Sequence, residues 1–121
     1  EILFRDRFNH ILDQHCEANR YRTQKKPLFL VYASRLAHYP LQPLKTYENK
    51  FEFISQSNRR AYAALVNFLD DQVANLTKGL KNRNMWKDTL LVFSSDNGGY
   101  VRDANPCIKD TRYDGATVCL N

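Results

Sequence analysis

The sequence predicts an α/β fold from two short apolar runs, a long amphipathic helix between them, and polar chemistry placed where each run ends. Pro27 to Ser34 (PLFLVYAS) and Leu90 to Phe93 (LLVF) are too continuously apolar to alternate and too short for helices. Each therefore reads as a strand covered on both faces. Strand, helix, strand in that order is a βαβ unit, which makes the strands parallel and the crossover right-handed.

The elements follow in chain order. Phe4, Phe8, Ile11 and Leu12 recur at helical spacing and predict an N-terminal helix with one buried stripe. His10 and His15 fall on that helix as surface or edge residues, with no metal-ligand spacing that links them to His38. The first strand follows, and then the long helix, from Asn58 to Arg83. Its Tyr62, Leu65, Val66, Leu69, Val73, Leu76 and Leu80 advance by three or four residues, while Arg59, Arg60, Asp70, Lys78 and Lys81 occupy the other face. Ser55 or Ser57 can cap its start, and Asn82 or Asn84 can end it in a left-handed conformation. Asp70 and Asp71 read as mid-helix ion-pair partners rather than paired catalytic carboxylates, and Tyr62, Phe51 and Phe53 as core residues. After the second strand, residues 100–121 carry Pro106 and Gly115 and no alternating pattern, and read as an irregular loop insertion.

The composition, 43% hydrophobic and 26% charged over 121 residues, is that of a globular protein, and no apolar run is long enough to span a membrane. The net charge of +5 is densest at Arg20 to Lys26 (RYRTQKK), a run that reads as a solvated face. Basic residues are otherwise scattered and no recognised binding module occurs, which argues against a nucleic-acid partner. Two strands cannot cover themselves on both faces, so residues 1–121 are expected to be part of a larger domain, cut at both ends.

Parallel strands share a carboxyl edge, and in open α/β sheets ligands collect outside that edge. The first run leads into His38, Tyr39 and Pro40, and the second into Asp96 and Asn97 followed by Gly98 and Gly99. Two adjacent hard oxygen donors suit a cation such as Ca2+ or Mg2+, while His38, taken by itself, reads more readily as a structural loop histidine than as an acid. Asn-Gly is equally a hairpin turn signal, an alternative weakened by the lack of a returning strand. His38, Asp96 and Asn97 thus form one candidate site on one rim.

Cys107 and Cys119 bracket a turn-rich stretch and either close a local disulfide, in an oxidising compartment, or stay reduced. Asn75-Leu76-Thr77 is an N-glycosylation sequon, usable if Asn75 points away from the apolar face.

The segments PLFLVYASRLAHYPLQ (27–42), YAALVNFLDDQVANLTKGL (62–80) and MWKDTLLVFSSDNGG (85–99), in this order, resemble the sulfatase family of the arylsulfatase B-like kind. The resemblance implies an alkaline-phosphatase-like α/β/α sandwich, of which this chain supplies a helix-strand-helix-strand segment. It further implies hydrolysis of a sulfate ester in a small molecule or glycan, in a lysosomal or extracellular setting. Asp96 and Asn97 are then similar to two calcium ligands. His38 is similar to the histidine that hydrogen-bonds the sulfate and protonates the leaving alcohol.

The sequence also departs from that family. Its formylglycine nucleophile arises from a Cys/Ser-x-Pro/Ala-x-Arg motif that lies well before the His-x-Pro strand together with an Asp pair. Cys16-Glu17-Ala18-Asn19-Arg20 matches the bare spacing, with Ala18 at the third position, but no such Asp pair accompanies it. The lysine expected after the Asn-Gly-Gly loop is missing, and Lys109 has the wrong surroundings to replace it. The chain alone is therefore expected to be inactive, with formylglycine supplied by the parent protein. Two alternatives stay open: a non-catalytic relative that binds sulfated glycans, and a phosphoesterase of the same superfamily. The lack of a histidine beside Asp96 weakens the second.

Overall fold

In the computed structural model, residues 1–97 are described, together with the backbone of Ile108–Lys109 and Thr117–Val118. The chain divides into two compact units, Glu1–Thr89 and Leu90–Asn121.

The first unit is built on two helices. α1 (Ile2–Asn19) packs on α3 (Ser57–Asn82), and the short α2 (Lys45–Glu48) with a 3-10 turn at Asn49–Phe51 lies against α3 as well. Phe8 and Leu12 of α1 meet Leu80 of α3 in a buried cluster, against which Leu30, Tyr32, Leu76 and Met85 pack. The helices approach closely at Gly79, where an added Cβ would lie 2.8 Å from Asn9 Oδ1. Tyr47 of α2 packs on Phe68 with ring centroids 4.9 Å apart and donates its hydroxyl to Asp71 Oδ2 at 2.6 Å.

The long helix matches its predicted span within a residue at each end, but its buried face is rotated from the predicted one. Ala61, Ala64, Leu65, Gln72, Gly79 and Leu80 are buried, whereas Tyr62 and Val66 are exposed. Small residues let the neighbouring segments come close, and a periodicity built on large apolar side chains passes over them. Neither serine caps the start: Gln56 is the N-cap, no side-chain cap bond forms, and Ser57 already lies in the first turn. The left-handed stop is Asn84, at φ 56°. Asn84 N–H donates to Lys81 O and Met85 N–H to Leu80 O, each at 3.0 Å, while Met85 packs on the cluster that holds Leu80. This is a Schellman ending with its hydrophobic contact.

The two predicted parallel strands are not shown among the described residues. Pro27–Ser34 carries no ladder among the described residues, yet its side chains alternate: Leu30 and Tyr32 pack on the α1–α3 cluster, while Phe29 and Val31 are exposed. It has the pattern of a strand covered on one face only. A ladder needs a neighbouring backbone, and within this unit the helices supply side chains instead.

In the second unit Leu90–Phe93 likewise has no ladder among the described residues, and Leu90, Val92 and Phe93 are exposed. Within the predicted irregular loop, β1 (Ile108–Lys109) and β2 (Thr117–Val118) pair antiparallel, Ile108 opposite Val118. Two residues per strand are too few to show as a periodic pattern.

Candidate functional site

The histidine turn is placed by the start of α1. Glu1 Oε1 accepts the Arg35 N–H at 2.8 Å, and Glu1 Oε2 accepts the Tyr32 hydroxyl at 3.1 Å. The apolar run is thereby tied at its end to the first residue before the helix. Tyr32 feels the arrangement: burial first, and then the neighbouring Glu1 carboxylate, push its phenol up to about 12. Ser34 Oγ accepts the Leu36 N–H at 3.2 Å and starts the turn. The peptides Leu36–Ala37 and Tyr39–Pro40 are cis.

His38 stands on this turn with its ring exposed. Its Nδ1 lies 2.6 Å from the carbonyl oxygen of Tyr39, the closest polar contact of the turn. Tyr39 is exposed beside it, at 65%. An imidazole held at one nitrogen and open at the other can bind an anion or pass a proton.

Asp96 and Asn97 belong to the second unit, and both are exposed. Ser95 Oγ donates a short hydrogen bond to Asn97 O, and Ser94 Oγ donates to Ser95 O at 3.0 Å, so the serines tie the backbone that carries the pair. A carboxylate and a side-chain amide fit calcium in kind, since that ion takes only oxygen donors, but they fall short of the roughly 6–8 it requires. Among the described residues no group of three or more His, Cys, Asp or Glu side chains could hold a metal. The donors fit as part of a calcium shell.

Of the other predicted residues, Asn75 is half-buried on α3 and donates from Nδ2 to Asp71 O at 2.8 Å. Thr77 Oγ1 donates to Val73 O at 3.0 Å and to Ala74 O at 2.9 Å. Cys107 and Cys119 lie outside the described residues. Cys16 is free and half-buried, with its Sγ 3.7 Å from Met85 Sδ. Asp71 Oδ2 accepts the hydroxyl of Tyr47 of α2, a phenol in place of the predicted cation partner. Phe53 is exposed at 80% and packs on Phe51 with centroids 6.0 Å apart, outside the predicted core. Among the described residues no helix is long and apolar enough to cross a membrane.

Sequence reasoning missed the supports of the histidine turn. Glu1, Tyr32 and Arg35 share no spacing motif, and the carbonyl of Tyr39 has no side-chain signature at all.

A family model described as Sulfatase matches residues 6–117. Over 74 residues the chain is 40% identical to arylsulfatase J of Mus musculus, covering 61% of this chain and 12% of that protein. It is 30% identical over 106 residues to N-acetylgalactosamine-6-sulfatase of Rattus norvegicus, covering 78% of this chain and 19% of that protein. Identity to arylsulfatase A of Homo sapiens is 29% over 100 residues, covering 76% of this chain and 18% of that protein. The chain thus spans between 12% and 19% of the length of these relatives. No solved structure matches it.

Proposed function

The chain belongs to the sulfatase family, and on that premise we propose that it is a segment of a calcium-dependent sulfuric ester hydrolase. Its share of the site is His38, as sulfate-binding and acid residue, with Asp96 and Asn97 as two calcium ligands. The observation that supports this most is the family match, which takes in both the histidine turn and the Asp96-Asn97 loop. The substrate is a sulfated small molecule or glycan.

Asp96 would offer a carboxylate oxygen and Asn97 its amide oxygen to the ion, the remaining donors coming from other residues. Calcium, when bound, supplies positive charge against the charge that develops on the sulfate oxygens. The chain's own chemistry is then the histidine's. In its protonated form His38 hydrogen-bonds the sulfate and releases a proton to the departing alcohol oxygen, which leaves as the neutral alcohol. The nucleophile, formylglycine in this reading, lies outside the chain, so the chain alone does not turn over the ester. A lysosomal or extracellular setting accords with the Asn75 sequon and with Cys107 and Cys119.

The test is sulfate release from an aryl sulfate by the full-length protein. His38→Ala is expected to lower kcat by roughly 10²–10⁴-fold, the usual worth of a positioned acid. An unchanged kcat removes His38 from the chemistry.

A further inference from the structure

A carbonyl oxygen can only accept a hydrogen bond, so the 2.6 Å contact between His38 Nδ1 and Tyr39 O requires a proton on Nδ1. In a neutral imidazole one nitrogen carries the proton and the other does not, and the partner of the first fixes which is which. We propose that the backbone carbonyl of Tyr39 locks His38 in the Nδ1–H tautomer, so that Nε2 is the nitrogen that meets the ester. Tyr39 is on this account a positioning residue that acts through its main chain. Assigning chemistry to Nε2 rests on the functional reading above; the tautomer itself rests on the turn alone.

The turn is built for this. Arg35 N–H is held by Glu1 Oε1 at 2.8 Å and Leu36 N–H by Ser34 Oγ at 3.2 Å, which fixes the backbone just before the histidine. The ring is exposed, so Nε2 is open to a substrate. Only this nitrogen then changes protonation during a cycle. Its N–H bond breaks, the electron pair stays on Nε2, and the proton goes to the ester oxygen, which keeps the electron pair of the breaking S–O bond while sulfur forms a new S–O bond to the nucleophile held outside this chain. Water returns a proton to Nε2 before the next turnover. Throughout, Nδ1 keeps its proton and its bond to Tyr39, so the ring need not turn between taking and giving a proton.

The experiment is two-bond ¹⁵N–¹H correlation NMR on the full-length protein labelled at histidine, with His38→Gln identifying the resonance. At a pH where His38 is neutral, a protonated-type Nδ1 and an unprotonated-type Nε2 are expected. The reverse pattern, or two averaged nitrogens, overturns the proposal. A second measurement separates the tautomer from the acid role: rates of His38→Ala against sulfate esters of increasing leaving-group pKa. A loss that grows with leaving-group pKa is expected from proton donation at Nε2. A loss independent of the leaving group overturns that donation and leaves the tautomer standing on the NMR result.

Discussion

Arg83 donates from Nε to Asp13 Oδ1 at 2.7 Å and from Nη2 to Asp13 Oδ2 at 2.9 Å, a two-pronged ion pair that joins the end of α3 to the middle of α1. The same guanidinium donates from Nη1 to Gly79 O at 2.9 Å and to Asn9 Oδ1 at 3.1 Å. A planar fork suits this work in a way that a lysine ammonium does not. The hydrogen bond from Arg83 holds the Asp13 carboxyl below its ordinary range, and Asp13 in turn raises the guanidinium. The pair contributes its stability above the unfolded-state pKa of an aspartate and loses it as pH falls through the lowered folded-state value. Thermal unfolding of the full-length protein is expected to show an acid-side loss that Asp13→Asn flattens. Because Asp13 is exposed, added salt should shrink the difference between the two proteins.

Gly79 gives a sharper packing test. In mid-helix, glycine to alanine ordinarily gains about 1 kcal/mol. Here the new Cβ would meet Asn9 Oδ1 at 2.8 Å and Phe8 Cε1 at 3.4 Å, and Asn9 is held in place by Arg83. Overpacking of this kind costs about 1–3 kcal/mol, so Gly79→Ala is expected to be net destabilising by roughly 1 kcal/mol. In an Asn9→Ala background the obstacle is gone, and the same change should become stabilising. Denaturant unfolding of the four proteins checks the change of sign.

Asn19 is the buried clasp of the loop that follows α1. Its Oδ1 accepts Lys26 N–H at 2.9 Å and its Nδ2 donates to Lys26 O at 3.2 Å. Asn19→Ala leaves both backbone groups without their partner and is expected to cost about 1–3 kcal/mol. Amide exchange at Lys26 should accelerate, while α3 keeps its protection.

Tyr32 predicts the alkaline limb. With its phenol raised from its ordinary value to about 12, the folded state binds the proton more tightly than the unfolded chain does. Its contribution is whole below pH ~10 and falls away as pH rises toward ~12. Tyr32→Phe should flatten that limb in a pH series of unfolding midpoints. It should also lose the hydroxyl bond to Glu1.

Both long helices could be read from apolar spacing because Phe8 and Leu12 of α1 meet Leu80 of α3, although Phe4 of the predicted α1 stripe is exposed. The face of α3 could not be fixed, since Ala61, Ala64 and Gly79 contribute closeness rather than bulk. Asn84 was legible as a stop because a left-handed ending favours few residues besides glycine. For the apolar runs, the alternation of Leu30 and Tyr32 against Phe29 and Val31 emerges only once the helices are in place to cover one side. The residue types of His38, Asp96 and Asn97 were readable as candidates, and the Tyr39 carbonyl that His38 Nδ1 contacts was not. An orienting main-chain carbonyl is fixed by the turn that carries it.

The central proposal is that His38 acts on the sulfate ester and that Asp96 and Asn97 hold calcium for the same reaction. Its most direct test is a double-mutant cycle in kcat/KM on an aryl sulfate, combining His38→Ala with Asp96→Ala in the full-length protein. Groups that act as a unit lose far less together than the product of their separate losses. The account predicts a large loss from each single change and a double mutant little worse than the weaker single. Losses that simply multiply, or an Asp96→Ala protein as active as the parent, would contradict it.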